Sequence, residues 1–378
     1  MERTDIRLAL PSKGILQDGT LEFLETCGLR VFRPNPRQYA ATIPALPNVT
    51  VIFQRPGDIV TSVQQGSVEF GITGYDVLAE KGGADDAAVL IIHDALGFGP
   101  CSLNLAAPEE SPARAVADLP GWAAELAAAG QPLRVATKFP RLTAGFLDRH
   151  NVRPYRLVAV EGTLEIAPAI GYADLICDLV SSGITLRDNH LRPLTGGVVL
   201  RSQAVLIANR AALGQRPGAL AVARHLLEYI EAHLRASGSY LITANVRGES
   251  AEAIGRRMFA HTSLGGLQGP TVAPVVAREH LRAESDWYAV NIVVRKERLF
   301  EAVGELRAIG GSGVVVVPCA YIFEEEPERY GAMVEELGIK SSEWRVAGGD
   351  ERPPTNDRRP TTDDRRPPTN NERLTTNN

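Results

Sequence analysis

Apolar residues fall into short blocks that alternate with helically spaced ones along most of the chain. Residues 6–10 form one such block, ending at Pro11-Ser12-Lys13-Gly14. Leu21, Leu24 and Cys27 then share one helical face, which predicts a helix capped by Asp18 and stopped at Gly28. Residues 49–53 repeat the strand pattern, followed by Arg55-Pro56-Gly57-Asp58, a short helix to Gly66, and a strand over 68–72 running into Thr73-Gly74-Tyr75-Asp76. Strand-helix alternation predicts a parallel α/β sheet, because each parallel return needs a crossover and a helix supplies it.

From about Gly97 the pattern restarts with a strand at 135–137, a helix at 142–150, a strand at 156–160, a helix near 166–170 and an apolar run at 175–180. This predicts a second α/β lobe over 98–190, inserted into a first lobe made of 1–97 and 191–236. Residues 193–208 read as extended chain, and Val222, Leu226, Ile230 and Leu234 line one face of a helix over 219–236 that Gly238 ends. Strands at 240–246, 271–276, 287–294 and 313–318, with helices at 249–258 and 297–308, give the order βαββαβ of a ferredoxin-like module within 237–346. Residues 347–378 repeat imperfectly every seven positions with almost no apolar residue. A coiled coil needs apolar a and d positions, so this heptad predicts a disordered tail.

With 378 residues, 44% of them apolar, the chain can bury several cores. A net charge of −5 gives no basic excess of the kind nucleic acid attracts, so any anionic ligand must be held by local groups. No stretch approaches the roughly 20 apolar residues of a membrane helix, and the acidic N-terminus lacks an apolar segment, which predicts a cytoplasmic protein. Cys27, Cys101, Cys177 and Cys319 are scattered, predicting reduced thiols rather than a zinc site or a disulfide framework. The seven His residues form no close ligand pair, and neither a nucleophile elbow nor a P-loop motif is present.

The sharpest chemical signal is the segment from Ala173 to Leu186, an apolar strand that turns through small hydroxyl residues into a helix. Backbone N–H groups at such a turn can point at one phosphate. Ser181, Ser182 and Thr185 add hydroxyl donors, Gly183 permits close backbone approach, and Asp178 can accept ribose hydroxyls or hold Mg²⁺ through water. Taken alone, the same turn also fits an ordinary helix N-cap.

Together with Val160-Glu161-Gly162-Thr163-Leu164-Glu165-Ile166-Ala167-Pro168, this segment resembles the phosphoribosyl-pyrophosphate signature of the ATP phosphoribosyltransferases. Residues 8–14, 55–59 and 68–76 resemble the same family, and the likeness runs from about Ile6 to Arg210. Residues 265–274 and 287–290 are similar to the regulatory domain of its long form. Three departures stand out: Glu161-Gly162-Thr163 where the family often has Asn-Gly-Ser, Lys138-Phe139 where Ser-Tyr is common, and Ala273 for a frequent Ser.

The resemblance implies two hinged lobes like those of type II periplasmic binding proteins, with the substrates between them. It also implies attack of adenine N1 of ATP on phosphoribosyl pyrophosphate with Mg²⁺, at the start of histidine synthesis, in a homo-oligomer of dimers or a hexamer. Arg55 and Lys13 would face the pyrophosphate, with Glu161 and Asp178 at the ribose and metal and Asp174 as the first acid of the motif. Ser181, Ser182, Gly183, Ile184 and Thr185 would hold the 5′-phosphate, and Lys138, Arg141, Gly74 and Asp76 would serve ATP. Histidine, the family's feedback inhibitor, would bind near Leu267, Thr271 and Ala273. Without the resemblance, the lobe pattern equally fits a non-catalytic two-lobed binding protein, and a catalytically dead paralogue would keep it too. The intact Lys13, Arg55 and Asp178–Thr185 stretch favours catalysis.

Overall fold

The computed structural model describes residues 5–35, 37–82, 86–160, 163–276 and 286–339. Strands and helices are numbered along the chain. The first lobe is a six-stranded sheet of β1 (Ile6–Pro11), β2 (Ala40–Ile43), β3 (Leu46–Gln54), β4 (Phe70–Gly74), β5 (Val89–His93) and β11 (Ala204–Asn209), in the order β2-β3-β1-β4-β11-β5. The central strand β1 pairs in parallel with β3 and β4, and β11 runs antiparallel to β4 and β5. A central parallel strand is covered on both faces, which is why β1 reads as one continuous apolar block. Leu8 and Leu10 meet α1 (Ile15–Thr26) and α8 (Pro217–Ala236) through Leu24, Leu226 and Ile230. On the opposite face Ala9 meets α2 (Pro56–Gln64) and α3 (Tyr75–Glu80) through Ile59, Val63 and Leu78.

The second lobe holds β6 (Cys101–Pro108), β7 (Leu133–Thr137), β8 (Tyr155–Ala159), β9 (Leu175–Val180) and β10 (Leu191–Ser202), ordered β10-β6-β9-β7-β8. Strands β7, β8 and β9 are mutually parallel, while β6 and β10 run against them. Helices α4 (Leu119–Ala128), α5 (Pro140–Arg149) and α6 (Ile184–Asp188) belong to this lobe. The chain crosses between lobes twice, over residues 94–100 and at Gln203 between β10 and β11. This is the hinged, two-lobed architecture of type II periplasmic binding proteins.

The third body has the sheet order β13-β14-β12-β15, built from β12 (Ser239–Arg247), β13 (Thr271–Pro274), β14 (Trp287–Arg295) and β15 (Ser312–Pro318). With α9 (Ala251–His261) and α10 (Leu299–Ala308) this is βαββαβ, its sheet reading second, third, first, fourth, as a ferredoxin-like domain does. One face carries Ile242, Ala244, Val290 and Ile292 against Ile254, Met258, Ala302 and Leu306 of the helices.

Several expectations need correction. Residues 191–202 belong to the second lobe, not the first, because β10 pairs with β6 and buries Leu191 and Leu194 there. Asp18 lies inside the first turn of α1, whose cap is Gly14 at φ 76°. The helix near 166–170 is a single 3-10 turn at Leu164–Ile166 followed by turns. The segment after β15 does not stay with the ferredoxin-like domain. α7 (Arg210–Gln215) leads into α8, and α11 (Glu328–Glu336) returns to pack on α8 and β5, burying Tyr330, Met333 and Val334 in the first lobe's core. Glu231 of α8 accepts from the N–H groups of Glu328 and Arg329 at 2.9 and 3.0 Å, satisfying the free end of α11. Tyr330 is 1% exposed, so Tyr330→Ala is expected to destabilise the first lobe by about 3 kcal/mol or more. The check is thermal unfolding followed by a probe in that lobe; an unshifted midpoint would refute the docking of α11. The repetitive segment 347–378 lies outside the described residues.

Candidate active site

Both lobes present the C-terminal ends of parallel strands to one interlobe cleft, where open α/β sheets hold ligands. In the first lobe Pro11 pairs with Gln54, and the Ser12 N–H donates to the Gln54 carbonyl at 2.8 Å. Lys13, two residues beyond β1, and Arg55, just beyond β3, are therefore neighbours at the same sheet end, and both side chains are exposed. Arg55 is the N-cap of α2, with Pro56 in the first turn. In the second lobe Lys138 immediately precedes Phe139, the N-cap of α5. A cation at a helix N-terminus opposes the macrodipole, an unfavourable placement that an anion between the two relieves. Arg55 from one lobe and Lys138 from the other line a single cavity of about 680 Å³, together with Thr137, Val158 and Val160.

Thr137 ties the rim of this cavity to the neighbouring strand: its hydroxyl donates to the Cys177 carbonyl at 2.9 Å and accepts from the Phe139 N–H at 2.9 Å. The next residue, Asp178, stands opposite Asn104 of β6 and accepts from the Leu179 N–H at 2.8 Å. Burial pushes the Asp178 carboxyl above its usual pKa, the Leu179 hydrogen bond opposes this, Glu165 adds to the rise and Lys138 works against it. Glu165, on the 3-10 turn at Leu164–Ile166, and Lys138, just beyond β7, thus both act on Asp178. Beyond β9, Ser181, Ser182, Ile184 and Thr185 are exposed around Gly183, which adopts φ 72° and caps α6. Glycine is suited to this left-handed position because it lacks a Cβ. Leu186, 4% exposed, anchors the corner to the core beneath.

Not every expected residue joins this cluster. Asp174 immediately precedes β9 whereas Asp178 lies well inside it, so the two residues are about 13 Å apart along the extended chain. Asp174 is engaged by the Arg134 guanidinium at 2.8 Å and the Arg134 N–H at 2.7 Å, and acts as a clasp between β9 and β7 remote from the corner. Asp76, 4% exposed, is bound to the Ser202 hydroxyl, which also accepts from the Asp76 N–H at 2.9 Å. A Cβ on Gly74 would come within 2.4 Å of that carboxylate, so Gly74 makes room for the hinge contact. Arg141 donates to the Ala79 carbonyl, and Glu80 accepts from the N–H groups of Arg141 and Leu142 at 2.8 and 2.9 Å. The first turn of α5, expected to receive a phosphate, is capped across the cleft by a carboxylate of the first lobe. Glu161 lies outside the described residues.

Glu80 and Ser202 carry no local signal in the sequence, because each acts through a partner distant along the chain. Among the described residues no cluster of three or more His, Cys, Asp or Glu side chains is arranged to hold a metal. Mg²⁺ commonly rests on one or two carboxylates plus substrate phosphates, and the mutually repelling Asp178 and Glu165 suit that mode. In the ferredoxin-like domain Leu267 and Thr271 line a cavity of about 470 Å³ with Leu241, Asn291, Phe323 and Glu324. Ala273 is not part of that lining; it lies two residues along β13 from Thr271, opposite Ala289. Among the described residues no helix is long and apolar enough to cross a membrane.

Comparison with known proteins gives matches over nearly the whole described chain. A family model for ATP phosphoribosyltransferase matches residues 55–232, and one for the C-terminal domain of that family matches residues 236–321. ATP phosphoribosyltransferase 1, chloroplastic, of Arabidopsis thaliana is 44% identical over 345 residues, covering 90% of this chain and 82% of that protein. The ATP phosphoribosyltransferases of Methanothermobacter thermautotrophicus and Gemmatimonas aurantiaca are 34% and 36% identical, each over 314 residues and 97% of their length, covering 83% and 82% of this chain.

Proposed function

The chain belongs to the ATP phosphoribosyltransferase family, and from that membership we propose how its cleft distributes the work of the transfer. The enzyme is a pentosyltransferase of histidine biosynthesis: adenine N1 of ATP forms a bond to the anomeric carbon of phosphoribosyl pyrophosphate, and the C–O bond breaks as its electron pair leaves with pyrophosphate. N1 carries a free lone pair, so attack requires no general base. Catalysis can rest on alignment and on charge placed where the leaving group develops it.

The corner from Ser181 to Thr185 takes the 5′-phosphate, Asp178 the ribose hydroxyls, Arg55 and Lys13 the pyrophosphate, and Lys138 the triphosphate of ATP. The observation that carries this assignment is the cavity shared by Arg55 and Lys138, two exposed cations from opposite lobes. Mg²⁺, when bound, neutralises the diphosphate; Asp178 with Glu165, and Glu161 by resemblance, are the carboxylates suited to hold it. Incubating the purified protein with ATP, phosphoribosyl pyrophosphate and Mg²⁺ is expected to release pyrophosphate and yield an adduct of ATP with one phosphoribosyl group. A folded protein that binds ATP but forms no adduct would instead support a non-catalytic binding protein.

Histidine is the proposed effector of the ferredoxin-like domain, supported by the cavity that gathers Leu267 and Thr271. Thr271 is exposed on β13, and an aromatic side chain suits a strand, so Thr271→Phe should fill the cavity without unfolding the sheet. Half-inhibition is expected to need about tenfold more histidine or more, with turnover in its absence within about twofold. Unchanged inhibition would place the effector elsewhere. Assembly through this domain, to a dimer or hexamer, is supported by the exposed Leu241, Val315 and Val317 on its open sheet face.

A further inference from the structure

A second cavity, of about 780 Å³, lies at the hinge and is reached by Ser181, the first residue of the hydroxyl corner. Both interlobe crossings contribute to its wall, through Asp94 and Pro100 on one side and Gln203 on the other. The wall holds a single cationic side chain, Arg201. Its backbone is fixed on both sides: Arg201 pairs with Ser102 of β6, and the adjacent Ser202 is bound to the buried Asp76.

The guanidinium is exposed, and among the described residues no ion pair or hydrogen bond engages it. Asp94, the one carboxylate in the same wall, is already held by Arg329 of α11 at 2.8 Å. Ser102 of β6 stands between Arg201 of β10 and the end of β9, and its hydroxyl is engaged by Asn104 and Val180, so the free Arg201 guanidinium and the exposed Ser181 hydroxyl are the donors this wall offers an anion.

The corner itself has need of such a charge. The helix it opens, α6, has only five residues, so few peptide dipoles align behind the corner and little positive potential comes from that source. Its hydroxyl and N–H donors can orient a phosphate dianion but supply no full counter-charge. Lys13, Arg55 and Lys138 are assigned to the opposite, polyphosphate end of the cleft.

We propose that Arg201 is a further substrate-binding residue, its guanidinium taking the 5′-phosphate of the phosphoribosyl group beside Ser181. This deepens the functional reading above and rests on it. Arg201 and Ser181 both belong to the second lobe, Arg201 on β10 and Ser181 directly after β9, so the sheet itself fixes their relation.

The test uses the full chain with Arg201→Gln and Arg201→Lys. In Arg201→Gln the KM for phosphoribosyl pyrophosphate is expected to rise about tenfold or more, with the KM for ATP within about twofold and the thermal midpoint unchanged; Arg201→Lys should recover part of the loss. Ribose 5-phosphate and inorganic pyrophosphate serve as competing probes. The inhibition constant of ribose 5-phosphate should rise in Arg201→Gln while that of pyrophosphate stays. The reverse pattern, or an unchanged KM in an active wild-type background, overturns the assignment. A wild-type protein that forms no adduct overturns the underlying reading instead.

Discussion

Exchanging Asp178 for Asn lowers kcat/KM for phosphoribosyl pyrophosphate by about a hundredfold or more while the thermal midpoint at neutral pH holds or rises. The pairing of these two outcomes follows from the electrostatics of the end of β9. Burial lifts the Asp178 pKa and Glu165 adds to it, so the folded state holds the proton to higher pH than the unfolded state does. The sign is therefore opposite to that of a salt-bridged carboxylate: stability falls as pH rises from the ordinary Asp value through the raised one, then stays lower. The neutral amide removes that penalty and retains an acceptor for the Leu179 N–H. A charge kept at a cost to folding, beside a corner of exposed hydroxyls, is one that ligand binding uses. Acid should weaken the substrate's hold starting above the usual carboxylate range, and this acid limb should vanish in Asp178→Asn. Stability and activity falling together, with no change in the pH profile, would make Asp178 a structural residue.

Arg55→Gln is expected to lower kcat by about a hundredfold or more with little change in folding stability. Arg55 is exposed and sits where the α2 macrodipole disfavours a cation, so its removal relieves a local repulsion. On the proposed assignment it would offset the charge that gathers on pyrophosphate as the C–O bond breaks, an interaction stronger in the transition state than in the ground state. The loss should therefore appear in kcat more than in KM. Single-turnover measurement of pyrophosphate release separates this chemical step from product dissociation. A variant altered only in the KM for ATP would move Arg55 from the leaving group to the triphosphate.

How much of this was legible beforehand depends on whether a feature is local. The continuous apolar block of β1, the loop after it and the strand-turn-helix from Leu175 to Asp188 are local, and periodicity with turn chemistry sufficed to find them. The four-residue β2 strand, two of whose residues are alanine, was not. Tyr330, Met333 and Val334 do show the spacing of a helix face, but nothing in a nine-residue segment interrupted by Gly331 tells which body it will cover. Asp174 and Asp178 are alike in type and four residues apart; only the pairing of β9 with β7 reveals that the first clasps Arg134 while the second lies near Lys138. Residues 193–208 read as extended chain, yet the switch from one sheet to the other at Gln203 is a tertiary fact. Likewise the Glu80 carboxylate caps α5 across the cleft, 61 residues away in sequence, where no pattern search would pair them.

A crystal structure of the full chain with phosphoribosyl pyrophosphate and Mg²⁺ examines the sugar-phosphate site itself. The 5′-phosphate is expected within hydrogen-bonding distance of the Ser182, Gly183 and Thr185 N–H groups, with the ribose hydroxyls on Asp178. Density for the substrate outside the interlobe cleft, or a 5′-phosphate on Lys13 and Arg55 with the Ser181–Thr185 corner bare, would contradict it.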